Sequence, residues 1–341
     1  MTVSGGASKT MAPGTTDTPI TKLSLGRRLL ARQELTLIGV LILVGVLATL
    51  RNSSFGASDN LLQVIRAAVV TFIVACPLTL VTIGGGFDFS VGSVFTLGGV
   101  SAAYFMTHGI IWPLAIVLGI AVGAVIGGLN AVTIDRLRVP PIITTLGTFY
   151  FMSGVVILFT HGIDIAPLPT QFNSLGTGST LGVPNVILAG ILVGIAYHLV
   201  LERTRFGYNV RSLGGNRLAA TENGIPVRRL DAWLYVGAGA LAAFAGIVYA
   251  ARTGSGQVSA GGASVTLTAI SAVLIGGTSL FGGIGTITGT ALGAILFAEI
   301  DNALAVAGID ALYSNMIIGG ILVFAVAADS VRRGRMFSLK R

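Results

Sequence analysis

Ten apolar segments, each close in length to a bilayer-spanning helix, follow one another along the chain. A transmembrane helix needs about 20 mostly apolar residues. Charged residues make up only 10% of the chain, against roughly 25% in a typical soluble domain. The sequence therefore predicts an all-α integral membrane protein with about ten transmembrane helices, several of them broken or re-entrant at glycine-rich segments. The predicted spans are 35–50, 61–83, 91–107, 111–134, 142–160, 184–201, 231–251, 265–282, 286–306 and 312–329.

The positions of the 21 Lys and Arg residues predict the orientation of these spans. Cytoplasmic loops of membrane proteins carry an excess of Lys and Arg. With an even number of spans, most of these residues fall on the side of the two termini, whereas the polar segment 161–184 contains none. We therefore expect both termini to be cytoplasmic. The net charge of +8 then reflects topology, and it does not indicate nucleic-acid binding.

The same pattern predicts the division of the chain. Residues 1–34 are expected to form a disordered basic cytoplasmic tail, because their first part is rich in Ser, Thr, Gly and Pro. Residues 35–331 form the polytopic transmembrane domain, and 332–341 form a second basic cytoplasmic tail. The large cytoplasmic loop of that domain is 202–230.

Two glycine-rich interruptions separate apolar segments, and each begins with Ile-Gly-Gly. One starts at Ile83 and the other at Ile275, which suggests an internal repeat. Paired interruptions in the two halves of a transporter indicate the transport pathway. Asp88 lies in the first interruption, where two interpretations remain open: an N-cap of the third span, or a polar group beside the pathway.

The loop 202–230 contains a short predicted helix with recognisable ends. Asn216 is a favourable N-cap, Gly224 can adopt the left-handed conformation that ends a helix, and Pro226 prevents continuation. A helix of about two turns is marginal in water by itself. It is therefore either a docking element for a partner or a surface helix of a basic loop without a partner.

Three ordered motifs resemble the membrane permease subunit of ATP-binding cassette importers for ribose and related simple sugars. They are GGGFDFSVGS (84–93), FGYNVRSLGGNRLAATENGIPV (206–227) and LFGGIGTITGTALGAILFAEIDNAL (280–304). The first is similar to the family pattern GGIDLSVGS, with Phe87 and Phe89 in place of aliphatic residues. The second is similar to TGGN..AA..SGI, with Leu213 and Asn223 as departures. The resemblance covers about residues 35–332.

The resemblance implies a multi-pass protein of the bacterial plasma (inner) membrane that carries a simple sugar or polyol inward. Two permease subunits, as a homodimer or heterodimer, would work with separate ATPase subunits and a soluble sugar-binding protein. This chain is not expected to be an enzyme or to bind a cofactor, because it lacks the G-x-x-x-x-G-K-[ST] loop that cradles phosphates, so ATP and Mg would bind to the partner ATPase. The implied ATPase-coupling residues are Gly215, Asn216, Ala219, Ala220, Gly224 and Ile225.

Polar residues in two places are candidates for contact with substrate or binding protein. Asp88, Ser90 and Ser93 at the first interruption, with Asn302 on the ninth span, are the candidate pathway residues. Glu299 and Asp301 are candidate contacts of the binding protein, and the alternative is that they are solvated acids at the outer mouth.

Other functional classes are less compatible with the sequence. The three histidines lie on different segments without clustered ligands, so no metal site or nucleophilic enzyme is indicated. A permease for branched-chain amino acids or nucleosides would share the architecture and stays an alternative. An ion-coupled secondary transporter would need intramembrane ionisable groups, for which Asp88 and Glu299 are the candidates.

Overall fold

The computed structural model describes residues 33–309 and isolated helical positions between 313 and 327. Its described residues are almost entirely helical, with a 3-10 turn at Ser53–Gly56 and a hairpin of two short strands, β1 (Ser179–Thr180) and β2 (Val183–Pro184). The helices are α1 (Gln33–Arg51), α2 (Ser58–Ile83), α3 (Val91–Thr107), α4 (Trp112–Arg136), α5 (Pro141–Thr160), α6 (Thr170–Thr177), α7 (Asn185–Arg203), α8 (Arg205–Gly215), α9 (Arg217–Glu222), α10 (Val227–Thr253), α11 (Gly262–Ile275) and α12 (Ile287–Val306).

Nine of the predicted spans correspond to helices of the structure, and this confirms an all-α membrane protein. Seven helices are long and apolar enough to cross a membrane, namely α1, α2, α4, α5, α7, α10 and α12, while α3 and α11 are shorter apolar helices. The predicted span 265–282 extends too far, because α11 ends at Ile275 before two glycines. The predicted span 312–329 lies outside the continuously described residues, so the total of ten and the cytoplasmic position of the termini stay predictions.

The predicted tails 1–34 and 332–341 also lie outside the described residues, except at one boundary. Gln33 and Glu34 belong to α1 and not to a tail. Glu34 Oε1 accepts a hydrogen bond of 2.9 Å from Thr288 Oγ1 at the start of α12. The first helix is therefore joined to the last continuously described one at this end.

Helix α10 lies at the centre of the bundle, packed against α2, α3, α4 and α6. Glycines bring these backbones together, as their spacing of four residues in α4 predicts. Gly123 of α4 faces Gly239 of α10, where a Cβ on either residue would overlap the carbonyl oxygen of the other. Two turns further along α10, Gly246 lies directly against the Phe95 carbonyl of α3.

A re-entrant segment connects α10 to α11. Gly254, with φ of 73°, ends α10, and residues 254–261 run beside α3 as turns and bends around the single bridge residue Gly256. Gly256 forms an antiparallel bridge with Ile165, and the Asp164 carboxylate accepts a 2.8 Å hydrogen bond from the Val258 amide. Gly261 lies against Gly92 in the first turn of α3. This non-helical backbone is mostly half-buried against the protein and fully buried at Gly256, where its polar groups can be satisfied.

Candidate functional site

The first glycine interruption begins with a left-handed helix end. Helix α2 stops at Ile83, and Gly85 has φ of 82°. The amides of Gly85 and Gly86 donate to the carbonyls of Thr82 and Val81, both over 2.9 Å. This pair of hydrogen bonds is the Schellman motif, which satisfies the last carbonyls of a helix.

The second interruption begins in the same way. Helix α11 stops at Ile275, and Gly277 has φ of 93°. The amides of Gly277 and Thr278 donate to the carbonyls of Leu274 and Val273, over 3.0 and 3.1 Å. The two helix ends therefore have one geometry, as the repeated Ile-Gly-Gly sequence suggests.

Helix α8 meets both interruptions at its C-terminal end. The Gly283 amide of the second interruption donates a 2.7 Å hydrogen bond to the carbonyl of Ile83. Gly214 lies against both groups, so closely that a Cβ there would overlap the Ile83 carbonyl oxygen. Arg211 adds a second attachment, because its Nη1 donates to the Gly285 carbonyl over 3.1 Å. We call this contact of α8 with the two interruptions the glycine junction.

Asp88 receives a chain of hydrogen bonds in the interior of the protein. Its Oδ1 accepts from the Ser90 amide at 2.9 Å and from Ser90 Oγ at 2.5 Å. Asn130 Nδ2 of α4 donates to Ser90 Oγ over 2.9 Å, and Thr148 Oγ1 of α5 donates to Asn130 Oδ1 over 2.6 Å. Each donor in this series of hydrogen bonds points toward the Asp88 carboxylate. The series as a whole connects α3, α4 and α5. Asp88 Oδ2 is buried and makes no hydrogen bond with the residues that the structure describes.

The interpretation of Asp88 as the N-cap is wrong in its position. Helix α3 begins at Val91, and Ser90 occupies the cap, while Asp88 lies two residues before it. The carboxylate stabilises the turn that precedes the helix, because it holds the amide and hydroxyl of Ser90. Asp88, Ser90 and Ser93 are each only 1% exposed in this chain. Their contact with a transported molecule stays a prediction.

The predicted short helix of the loop 202–230 is present and is capped as expected. The Asn216 side chain accepts a 3.0 Å hydrogen bond from the Ala219 amide at the start of α9. At its end, Gly224 has φ of 78°, and the Ile225 amide donates to the Ala220 carbonyl over 3.1 Å. Helix α8 was not predicted, although Phe206, Val210 and Leu213 recur at helical spacing after the N-cap Thr204.

The predicted coupling residues lie on two different faces of the α9 region. Ala220 is buried, and Ala219 and Ile225 are half-buried, whereas Gly215, Asn216 and Gly224 are exposed. An ion pair between Arg217 and Asp231 further attaches α9 to the start of α10. Leu218, which the sequence analysis did not select, is 70% exposed on the face away from Ala220. An exposed leucine on a capped surface helix is a suitable docking contact.

The polar residues at the far end of α12 have different surroundings from one another. Asn302 exchanges two hydrogen bonds with Asn60 of α2, over 2.8 and 3.0 Å. Glu299 is half-buried and faces α1, with Oε1 beside Gly45, so its side chain does not point away from the bundle as an outer-mouth contact would. Asp301 is exposed. The proposed contact of Glu299 and Asp301 with a binding protein stays a prediction.

A cavity of about 330 Å³ opens beside Asp301 and Asn302. It lies at the end of the bundle opposite α8 and α9, because α2 begins there and α10 and α12 end there. Its lining residues are Gln63, Val64, Ala67, Thr71, Arg252, Thr268, Ala298, Asp301 and Asn302. Among the described residues, no group of three or more His, Cys, Asp or Glu side chains could hold a metal ion.

Comparison with known proteins gives consistent matches over most of the chain. The family model described as branched-chain amino acid transport system / permease component matches residues 60–326. The ribose import permease protein RbsC of Bacillus subtilis is 35% identical over 294 residues, which cover 86% of this chain and 91% of that protein. RbsC of Escherichia coli K12 is 33% identical, covering 88% and 94%. The D-allose transport system permease protein AlsC of the same organism is 29% identical, covering 84% and 88%. No solved structure gives a significant match.

Proposed function

Because the chain belongs to the family of branched-chain amino acid transport system permease components, we propose that it is the permease subunit of an ATP-driven importer for a simple sugar or polyol. It is a multi-pass protein of the bacterial inner membrane and a transport component. The relatives named for ribose and D-allose import favour a sugar over an amino acid, even though the family's description names amino acids. They equally disfavour an ion-coupled transporter.

The contact of α8 with both glycine interruptions is the observation that carries the mechanism. Helix α9 presents Leu218 outward, while Ala220 and the Arg217–Asp231 ion pair fix its inner face. Helix α8 ends at Gly215, and Asn216 is both its C-cap and the N-cap of α9, so α8 joins the exposed helix directly to the glycine junction. A force applied at α9 therefore reaches the ends of α2 and α11 through a short, hydrogen-bonded path.

A separate ATPase subunit would supply this force when it binds ATP and Mg. Its groove would receive α9, with Leu218 as the apolar contact and the Asn216–Gly224 segment around it. Closure of the ATPase dimer would favour one conformation of the permease over the other, since a ligand shifts an equilibrium only by its different affinity for the two states. This chain contributes the docking helix and the moving segments, and it binds no nucleotide itself.

Sugar passage would require a second permease subunit and an extracytoplasmic binding protein. Asp301, which is exposed at the far end of α12, would contact that protein. The hydrogen-bonded chain from Thr148 to Asp88 would hold α3, α4 and α5 in register while the interruptions move. Ser93 and Ser90 are then placed beside the moving segment.

Reconstitution of the complex in proteoliposomes tests this function. We expect sugar uptake that requires ATP and the binding protein and that persists when a protonophore collapses the membrane potential. Uptake that stops with the protonophore and continues without ATP would instead identify an ion-coupled transporter. A binding protein that selects amino acids over sugars would contradict the substrate class.

Substitution of Leu218 tests the docking helix. Leu218→Asp should greatly reduce recovery of the ATPase with the permease, because a carboxylate cannot enter an apolar groove without losing hydration. Leu137→Asp is the matched control, since Leu137 is 69% exposed at the same end of the bundle, just after α4. Equal recovery of the ATPase with both variants would show that α9 is not the docking element.

A further inference from the structure

The cavity at the end of the bundle opposite α9 has a lining that suits a small polyhydroxylated molecule. Its volume of about 330 Å³ lies at the lower limit of small-molecule sites, which span roughly 300–1,000 Å³. A monosaccharide fits this space, whereas an oligosaccharide does not. Exposed Gln63, Ala67 and Asp301 line the cavity, so it opens at the protein surface.

The polar groups of the cavity come from four helices. Gln63 and Thr71 lie on α2, Arg252 on α10, and Thr268 on α11. Asp301 and Asn302 of α12 complete the polar lining. Arg252 Nη2 donates to Gln63 Oε1 over 3.2 Å, which fixes the guanidinium at the cavity wall. A guanidinium carries five N–H donors, and a single amide oxygen cannot accept from all of them. Other N–H groups of Arg252 can therefore donate to a ligand.

The arrangement of charge favours a neutral ligand over an anionic one. Arg252 and Asp301 bring a hydrogen-bond donor and an acceptor of opposite charge to one cavity. Neighbouring hydroxyls of a sugar can accept from the guanidinium and donate to the carboxylate together, whereas an anion can pair with Arg252 but not with Asp301. Val64, Ala67 and Ala298 supply an apolar wall for the C–H face of a sugar ring.

We propose that this cavity is an outer monosaccharide-binding site of the permease, where a neutral sugar or polyol is held after its release from the binding protein and before translocation. The inference rests on the proposed function and adds the place at which the permease itself recognises its substrate. Asn302 supports the site mainly by holding the helices in place and less by direct contact with the sugar. Its reciprocal pair with Asn60 holds α12 against α2 beside the cavity.

The single cysteine of the chain allows a direct test. Cys76 is fully buried, so an Ala67→Cys variant carries one accessible thiol, inside the cavity. In membrane vesicles with the extracytoplasmic face outside, a membrane-impermeant maleimide should label this thiol. The test panel is D-ribose, D-allose, D-xylose and myo-inositol, each at millimolar concentration. At least one of these compounds should slow labelling several-fold. Asp59→Cys, exposed in the first turn of α2 but outside the cavity, is the matched control and should be labelled without protection.

Several outcomes would overturn the proposal. They are absence of labelling at Ala67→Cys, labelling that no neutral sugar or polyol of the panel slows, and protection by ribose 5-phosphate without protection by a neutral compound. Uptake measured on the unsubstituted protein in the same kind of vesicles separates the two hypotheses. ATP-dependent sugar uptake with unprotected labelling contradicts the cavity site alone, whereas absence of ATP-dependent sugar uptake contradicts the proposed function.

Discussion

Gly214→Ala is the sharpest perturbation of the glycine junction. The added Cβ would overlap the Ile83 carbonyl oxygen and stand 2.5 Å from the Gly283 amide nitrogen. Overpacking of a close contact costs about 1–3 kcal/mol, and loss of the Gly283–Ile83 hydrogen bond adds about 0.5–1.5 kcal/mol. The junction should therefore weaken by about 1.5–4.5 kcal/mol, which corresponds to a change of roughly 10- to 2,000-fold in the population of the closed contact.

We expect this variant to retain the ATPase, because Leu218 is untouched, but to lose most ATP-dependent uptake. Stimulation of ATP hydrolysis by the binding protein shows whether the ATPase is retained. Proteoliposome uptake, on the same preparation, measures transport. Gly215→Ala is the matched control, since a Cβ at that adjacent position meets nothing within 4 Å. If Gly214→Ala transports as well as Gly215→Ala, α8 does not transmit motion to the interruptions.

Three further predictions concern stability. Asp88→Ala should lower the melting temperature more than Asp88→Asn. Alanine leaves two buried donors unpaired, at about 1–3 kcal/mol each, whereas asparagine keeps an acceptor. Equal melting temperatures of the two variants would contradict a stabilising role of the carboxylate's hydrogen bonds. Asn216→Ala should destabilise α9 by about 1 kcal/mol and speed limited proteolysis there, whereas Asn216→Ser should not. Gly246→Ala should destabilise the α3–α10 contact by about 1–3 kcal/mol in thermal unfolding, while Gly147→Ala, where a Cβ meets nothing within 4 Å, should be silent.

Local features of the structure could be predicted from the sequence, since their causes lie within a few residues. The ends of α9 follow from Asn216 and Gly224, and the end of α2 at Ile83 follows from the paired glycines, whereas the predicted span over α11 ran seven residues past Ile275. Helix α8 was missed because Gly207, Gly214 and Gly215 lower its helix propensity, although its apolar residues recur at helical spacing.

Features that join distant segments could not be predicted in this way. Asn130 bonds to Ser90 across 40 positions, and Asn60 bonds to Asn302 across 242. The cavity combines four helices, and no local pattern indicates which of their polar residues meet. At Asp88, the amide and hydroxyl that its carboxylate binds belong to Ser90, two residues away, but the Asn130 and Thr148 groups that extend this hydrogen-bonded series depend on how α4 and α5 pack beside it.

The shared attachment of both interruptions to α8 has a thermodynamic consequence. The second interruption donates to Ile83 at the end of α2, so neither helix end can shift without changing the environment of the other. The two interruptions then form one cooperative unit, and a permease with a single interruption displaced would be scarcely populated. Substitutions at Gly85 and Gly277 should accordingly combine non-additively in a double-mutant cycle, although these residues are far apart in the chain.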